Sequence, residues 1–169
     1  MVFSSPPRIG RNLAFLALAV SQASMADLYV AVGMTSESTA ALRLEVDRTY
    51  GLARLHPQLD LRLATGLLLL EGQERDHNGA WLVTPTLRWS FGDSGNVFLE
   101  GGIGAAVFLN TRYESSDLGS AFQFQDRIAI GSRLGAGELV LSATHYSNAG
   151  IKSPNNGFEV LALGYRWTL

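Results

Sequence analysis

The chain has 169 residues, of which 47% are hydrophobic, only 17% are charged and none is cysteine. Thirteen basic against fifteen acidic residues give a net charge of −2; that balance excludes a basic nucleic-acid binder, and the apolar content excludes a disordered chain. The missing cysteines exclude disulfides, Cys-based zinc sites and Cys nucleophiles, and the length suits one domain.

Arg8 and Arg11 precede an apolar run of eight residues, Leu13 to Val20, which is followed by Ser24-Met25-Ala26. A basic start, a short apolar stretch and small residues at a cleavage position predict a secretory signal peptide over residues 1–26, cut after Ala26. Eight apolar residues are too few for a membrane anchor, which needs about 20. Cleavage would leave a single domain over residues 27–169 and move the net charge to −4.

From Asp27 onward the hydropathy alternates with a period of two, the signature of strands. Leu28, Val30, Val32 and Met34 share one face, and Ala40, Leu42, Leu44 and Val46 follow, opposed by Arg43, Glu45 and Asp47. Next come the alternate leucines from Leu59 to Leu69, opposed by Asp60, Arg62, Ala64 and Gly66. Trp81, Val83, Pro85, Leu87, Trp89 and Phe91 form the fourth set, and Val97, Leu99, Ile103, Val107 and Leu109 the fifth, facing away from Glu100. Phe122, Phe124, Ile128 and Ile130 oppose Gln123, Gln125 and Arg127. The last two sets are Leu139, Leu141 and Ala143, and Leu161, Leu163, Tyr165 and Trp167. Pro85 lacks an amide donor and predicts a bulge or irregular pairing.

Eight strands of this length suit a transmembrane barrel, whose strands span with about 9–11 residues. Periodicity alone does not separate a barrel with its apolar face outward from a secreted sandwich with that face inward. Two observations favour the barrel. The chain is exported, and its second face combines Gly, Ala and Thr with charges of both signs, which can fill a narrow lumen. The fold class read here is therefore all-β, an eight-stranded antiparallel barrel of the bacterial outer membrane. Trp81, Trp89, Tyr165 and Trp167 lie where an aromatic girdle would sit. With both ends in the periplasm, outer loops fall near 36–38, 71–79, 110–120 and 148–156, and turns near 51–58, 92–96 and 135–137. The 51–58 segment is longer than a turn requires. His56 reads as a turn residue and His77 as a solvated loop histidine.

Polar residues on the apolar face stand out. By parity His145, Ser147 and Glu159 point to lipid beside the 148–156 loop, and Asp126 shares that face on the preceding strand. A symmetric hairpin centred on residue 152 sets His145 opposite Glu159, with Cβ atoms about 4.5–5.5 Å apart. Ser147 lies on the same face, roughly 6–7 Å along the strand. A hydroxyl, an imidazole and a carboxylate in a row can build a nucleophile, a base and an orienting acid. The following Asn148-Ala149-Gly150 could aim amides at an oxyanion. On spacing alone the alternative stays open that His145 and Glu159 are merely solvated at the rim.

The stretch His145-Tyr146-Ser147-Asn148-Ala149-Gly150, with Pro154-Asn155 and Gly157 to Glu159, closely resembles the lipid A 3-O-deacylases of Gram-negative outer membranes. So do Phe98-Leu99-Glu100, Gly102-Ile103-Gly104, Thr111-Arg112, Leu118-Gly119-Ser120 and Phe124 to Ile128. The likeness is specific over about residues 97–169 and rests mainly on strand pattern over 27–90. It implies hydrolysis of the ester-linked 3-hydroxyacyl chain at position 3 of lipid A, with lipopolysaccharide as substrate and no cofactor or metal; the family also includes homodimers. Carried over by position, it implies Ser147 as nucleophile, His145 as general base and Glu159 as orienting acid. The amides of Asn148 and Gly150 become oxyanion donors, with Asn155 supporting and Asp126 a further supporting candidate. The readings set beside this one are a non-enzymatic small barrel and an outer-membrane phospholipase or acyltransferase.

Overall fold

The computed structural model describes residues 26–92 and 94–168; the expected signal peptide, apart from Ala26, lies outside them. Eight strands form in the order predicted: β1 (Asp27–Thr35), β2 (Ala40–Gly51), β3 (Leu59–Leu70), β4 (Asn78–Phe91), β5 (Val97–Phe108), β6 (Phe122–Leu134), β7 (Gly137–Ser147) and β8 (Phe158–Trp167). Each pairs antiparallel with its chain neighbours, and β1 pairs with β8 from Leu28↔Trp167 to Thr35↔Val160, closing the barrel. Closure leaves no open strand edge, whose unpaired amides and carbonyls would be costly in hydrocarbon. A two-stranded ribbon, Arg112–Tyr113 with Ser116–Asp117, rises within the β5–β6 loop.

The alternation resolves in the inverted sense. Val32, Leu161 and Ile103 on the outer face are 60–67% exposed, whereas Arg62, Glu100 and Gln125 in the lumen are 0% exposed. A continuous apolar belt of this kind is a membrane surface, since water-facing apolar patches of that extent are not tolerated on a soluble monomer.

The lumen is filled in layers. Towards the outer end Tyr146 stacks on Phe158 with centroids 5.1 Å apart, and Phe108 meets both edge-on. Below lies a charged layer. Arg62 and Arg166 share Asp47 at 2.8 and 3.2 Å, and Arg88 and Arg127 hold Glu100 at 2.7 and 3.0 Å. Glu138 takes Arg88 at 2.8 Å and Arg166 at 2.5 Å. Small residues make room for this filling: a Cβ at Gly131 would stand 2.2 Å from the Phe98 ring.

Two local expectations are refined. The β4–β5 ladder passes from Val83↔Ala105 to Leu87↔Gly101 without bridging at 84–86. Pro85 thus interrupts pairing on that side while the register is unchanged, so the irregularity is a gap and not a bulge. The long turn after β2 is an ordered coil in which His56 and Leu55 both donate backbone N–H to Leu52 O. It returns His56 to stack on Trp89 at 4.3 Å, so its extra length reaches the aromatic girdle. His77 accepts the Gly72 amide at 2.9 Å within its own loop.

Candidate active site

The site is a product of register. On β7 the side chains alternate between the barrel's two faces, His145 and Ser147 outward, Tyr146 and Asn148 fully buried inward. Antiparallel pairing sets Glu159 of β8 opposite His145 and Asp126 of β6 opposite it on the other side. A lateral row of carboxylate, imidazole and carboxylate thus crosses three strands on the outer face. Phe124 is Ser147's partner on β6.

The predicted His145–Glu159 contact forms, with Nδ1 2.9 Å from Oε1 and side chains 41% and 62% exposed. A carboxylate on Nδ1 fixes the tautomer that leaves Nε2 free to accept a proton. The Ser147 hydroxyl makes no hydrogen bond to His145 among the described residues; in ligand-free sites such contacts commonly tighten only when substrate binds. Asp126 is exposed on the same face and makes no hydrogen bond to the imidazole.

What lies behind the row was not legible from residue spacing. The Tyr146–Phe158 stack is itself a register pair. It clamps β7 to β8 from inside at the level where His145 and Ser147 project outside. Ser36 of the first loop donates its amide to Glu159 O at 2.9 Å and accepts the Glu159 amide on Oγ at 3.1 Å, fixing the backbone of Glu159. Ser116 Oγ donates to Gly157 O at 2.9 Å. Gly157, opposite Ser147 in the continued register, has φ +64°, and a Cβ there would stand 3.1 Å from His145 Cε1 and 3.5 Å from Ser147 Cβ. A side chain at 157 would crowd the His145 ring in a backbone conformation that favours glycine, so glycine keeps the space beside His145 and Ser147 clear.

The β7–β8 loop is tied down rather than loose. Asn148 Nδ2 donates to Leu118 O at 2.8 Å and Lys152 O at 2.7 Å. Ala149 and Gly150 follow with φ of +55° and +77°, turning the chain sharply after Ser147. The two expected oxyanion amides part company here. Asn155 Oδ1 takes the Asn148 amide at 2.7 Å, which ties the two ends of the loop together and leaves the Asn148 N–H committed. The Gly150 amide has no partner among the described residues and is the open donor.

Below the row, on its periplasmic side, the outer wall carries an apolar groove of about 320 Å³. It is lined by Leu99, Ile128, Ile130, Leu141, Ala143 and Leu161, with Ala129 and Ser142 on its floor.

Fold and site together define a membrane-spanning β-barrel with a hydroxyl, an imidazole and a carboxylate gathered on its lipid face beside an apolar groove. The family model for lipid A 3-O-deacylase (PagL) matches residues 48–168, and the chain belongs to that family. It is similar to the lipid A deacylase PagL of Pseudomonas aeruginosa, 36% identical over 157 residues that span 87% of this chain and 88% of that protein. It is also similar to the lipid A deacylase PagL of Bordetella bronchiseptica, 42% identical over 84 residues, 49% of this chain and 46% of that protein. The crystal structure of the outer membrane enzyme PagL matches with a TM-score of 0.74 at 29% identity, covering 85% of this chain and 99% of that one. A de novo designed transmembrane β-barrel matches at a TM-score of 0.50 and 14% identity, covering 88% and 98%, and shares the fold alone. The family match begins at residue 48, two strands earlier than the motifs from residue 97 onward.

Proposed function

We infer that this chain is an outer-membrane lipid A 3-O-deacylase, in which Ser147 attacks the ester of the 3-hydroxyacyl chain at position 3. His145 Nε2 takes the hydroxyl proton as the Oγ–carbonyl carbon bond forms. Glu159, on Nδ1, holds the ring and stabilises the imidazolium. The Gly150 amide meets the developing oxyanion, and Asn148 joins it when Asn155 yields. His145 then returns the proton to the sugar oxygen as the ester C–O bond breaks. A water activated by the same base releases the fatty acid from Ser147. Asp126, across the ring from Glu159, supports the row through its charge.

The observation that carries this reading is the 2.9 Å His145–Glu159 pair on the lipid face, two residues along the strand from Ser147, in a chain of this family. The substrate's acyl chains already lie in the bilayer, so a lipid-facing site meets the ester at its own depth. The apolar groove beneath the row takes the chain to be cleaved. Export through a signal peptide over residues 1–26 belongs to the same reading, and sequencing of the mature N-terminus should begin at Asp27.

Folded, purified protein mixed with intact lipopolysaccharide should release a free 3-hydroxy fatty acid, and Ser147→Ala should lose nearly all of that release. Wild-type barrel that leaves lipid A intact while turning over phospholipid would replace this reading with a phospholipase. No turnover of either would leave a non-enzymatic barrel.

A further inference from the structure

Lys152 is the only lysine in the chain, and it stands in the loop that follows Ser147. Both of its backbone groups are held by Asn148, the residue next to Ser147: its carbonyl accepts Asn148 Nδ2 at 2.7 Å and its amide donates to Asn148 Oδ1 at 3.3 Å. Its backbone position is therefore set relative to the nucleophile, while its side chain is exposed and has no ion-pair or hydrogen-bond partner among the described residues.

The surroundings make this cation unusual. The outer loops carry Glu37, Glu71, Glu74, Asp76, Glu114 and Asp117, and the site itself adds Asp126 and Glu159. The two other cations of these loops are engaged: Arg112 pairs with Asp117 at 3.2 Å, and Arg75 donates to Glu114 O at 2.7 Å. Arg75 also sits in the β3–β4 loop, across the barrel from β7–β8. On the side of the rim that carries Ser147, a phosphate group meets one ammonium without a carboxylate partner among the described residues, that of Lys152.

We propose that Lys152 is a phosphate-recognition residue, its ammonium binding a phosphate monoester on the sugar whose acyl ester reaches Ser147. The proposal rests on the deacylase reading and adds a polar anchor to it. The apolar groove alone would let an acyl chain slide along the wall, whereas a charge fixed to the loop after Ser147 sets the depth and rotation of the sugar. Lysine suits a single, freely rotating phosphate contact, where a planar guanidinium would demand a defined bidentate geometry.

The test uses the full-length folded protein in nonionic detergent micelles, so that the substrate carries the only phosphate present. Acyl release is followed from the phosphorylated glycolipid and from the same lipid after enzymatic removal of its phosphates. An exposed charge pair of about 1 kcal/mol corresponds to a ratio of about fivefold. Wild type should therefore favour the phosphorylated lipid by about fivefold in kcat/KM, mostly through KM. Lys152→Gln should bring that ratio close to one and Lys152→Arg should keep most of it. Arg112→Gln should retain it, and added salt should shrink it. A wild type without preference, or a preference that Lys152→Gln retains, overturns the assignment of Lys152 while leaving the deacylase reading intact. No acyl release by folded wild type from either lipid overturns both.

Discussion

In the lumen, Glu100 is fully buried and meets four arginines, with Arg88 and Arg127 at 2.7 and 3.0 Å and Arg62 and Arg166 both at 3.4 Å. On the lipid face of the same wall, Glu159 meets one partner, His145, and remains 62% exposed. Both carboxylates sit at positions that parity sends to opposite sides of the barrel, and the difference in their company separates structure from chemistry. A carboxylate shared among several guanidinium groups has no lone pair to spare and no freedom to move; it holds strands together. A carboxylate with a single imidazole leaves that ring's other nitrogen open. The chain places its crowded charges where no substrate can reach them and its sparse pair where a lipid ester can.

Removing the hydroxyl beside the outer pair should remove activity and spare the barrel. Ser147→Ala should lower acyl release by about 10⁴-fold, the scale seen when a nucleophile is lost and only binding and oxyanion contacts remain. Because Ser147 makes no side-chain hydrogen bond among the described residues, the unfolding free energy measured in urea should change by less than about 0.5 kcal/mol. A variant that retains release would remove Ser147 from the chemistry.

Breaking the inner network should do the reverse. Glu100→Ala leaves buried guanidinium groups without their shared partner, which costs about 3–5 kcal/mol. Activity per folded molecule should stay near wild type, because no element of the lipid-facing row touches Glu100. Replacing Glu100 and its arginines together by apolar residues of similar volume should recover much of that loss, since well-packed apolar substitutes for buried ion networks are often neutral. Equal losses of activity and stability in Glu100→Ala would mean that the two faces are coupled through the wall.

Glu159→Gln sharpens the comparison from the other side. Glutamine can still hold the imidazole in place but cannot stabilise its protonated form. With a half-exposed pair, water offsets part of the lost charge, so a fall of about 10²-fold in kcat is expected, smaller than for Ser147→Ala. The Asp126 carboxylate, facing the same ring from β6, should make Asp126→Asn Glu159→Gln worse than the product of the single changes. Strict additivity would deny Asp126 a part.

The two faces also differ in how much of each could be seen beforehand. Period-two hydropathy placed His145, Ser147, Glu159 and Asp126 on one face and Arg62, Glu100 and Arg166 on the other, because parity needs only the spacing of residues. Hairpin symmetry about residue 152 then set His145 opposite Glu159. The contacts that decide what each group can do are long-range, and spacing carries no trace of them. Ser36 holding Glu159, and Glu100 gathering four arginines from β3, β4, β6 and β8, depend on barrel closure. The capture of the Asn148 amide by Asn155 depends on how a ten-residue loop folds back. Gly157 was within the family-like stretch, yet its closeness to both His145 and Ser147 follows only from the path of the chain.

The smallest effect expected concerns the loops above the site, where charge is neither crowded nor sparse but hydrogen-bonded to backbone. Glu37 accepts the Ser115 hydroxyl and amide on Oε2 at 2.5 and 3.0 Å, and its Oε1 lies 3.0 Å from Ser116 Oγ, whose one proton is shared between Glu37 and Gly157 O. The Ser115 hydroxyl is the chief cause that holds its carboxyl below the usual value of 4.5. Glu114 is also held below that value, first by the amides of Gln73 and Glu74, which donate to it at 2.8 and 2.9 Å. A carboxyl depressed in the folded state adds stability that is fully present above the unfolded value and is lost as pH falls through the folded one. The loops should therefore be unchanged from neutral pH down to about 4.5 and loosen only in stronger acid. Hydrogen exchange reads this directly: protection of the Gln73, Glu74 and Ser115 amides should drop below that pH while the amides of β6 and β7 stay protected. Glu37→Gln should abolish the pH dependence at Ser115 alone. Because Ser116 bridges Glu37 to the Gly157 carbonyl, the same variant should loosen the Gly157 backbone. Loss of strand and loop protection together would mean that the loops are not a separate unit but part of one cooperative barrel.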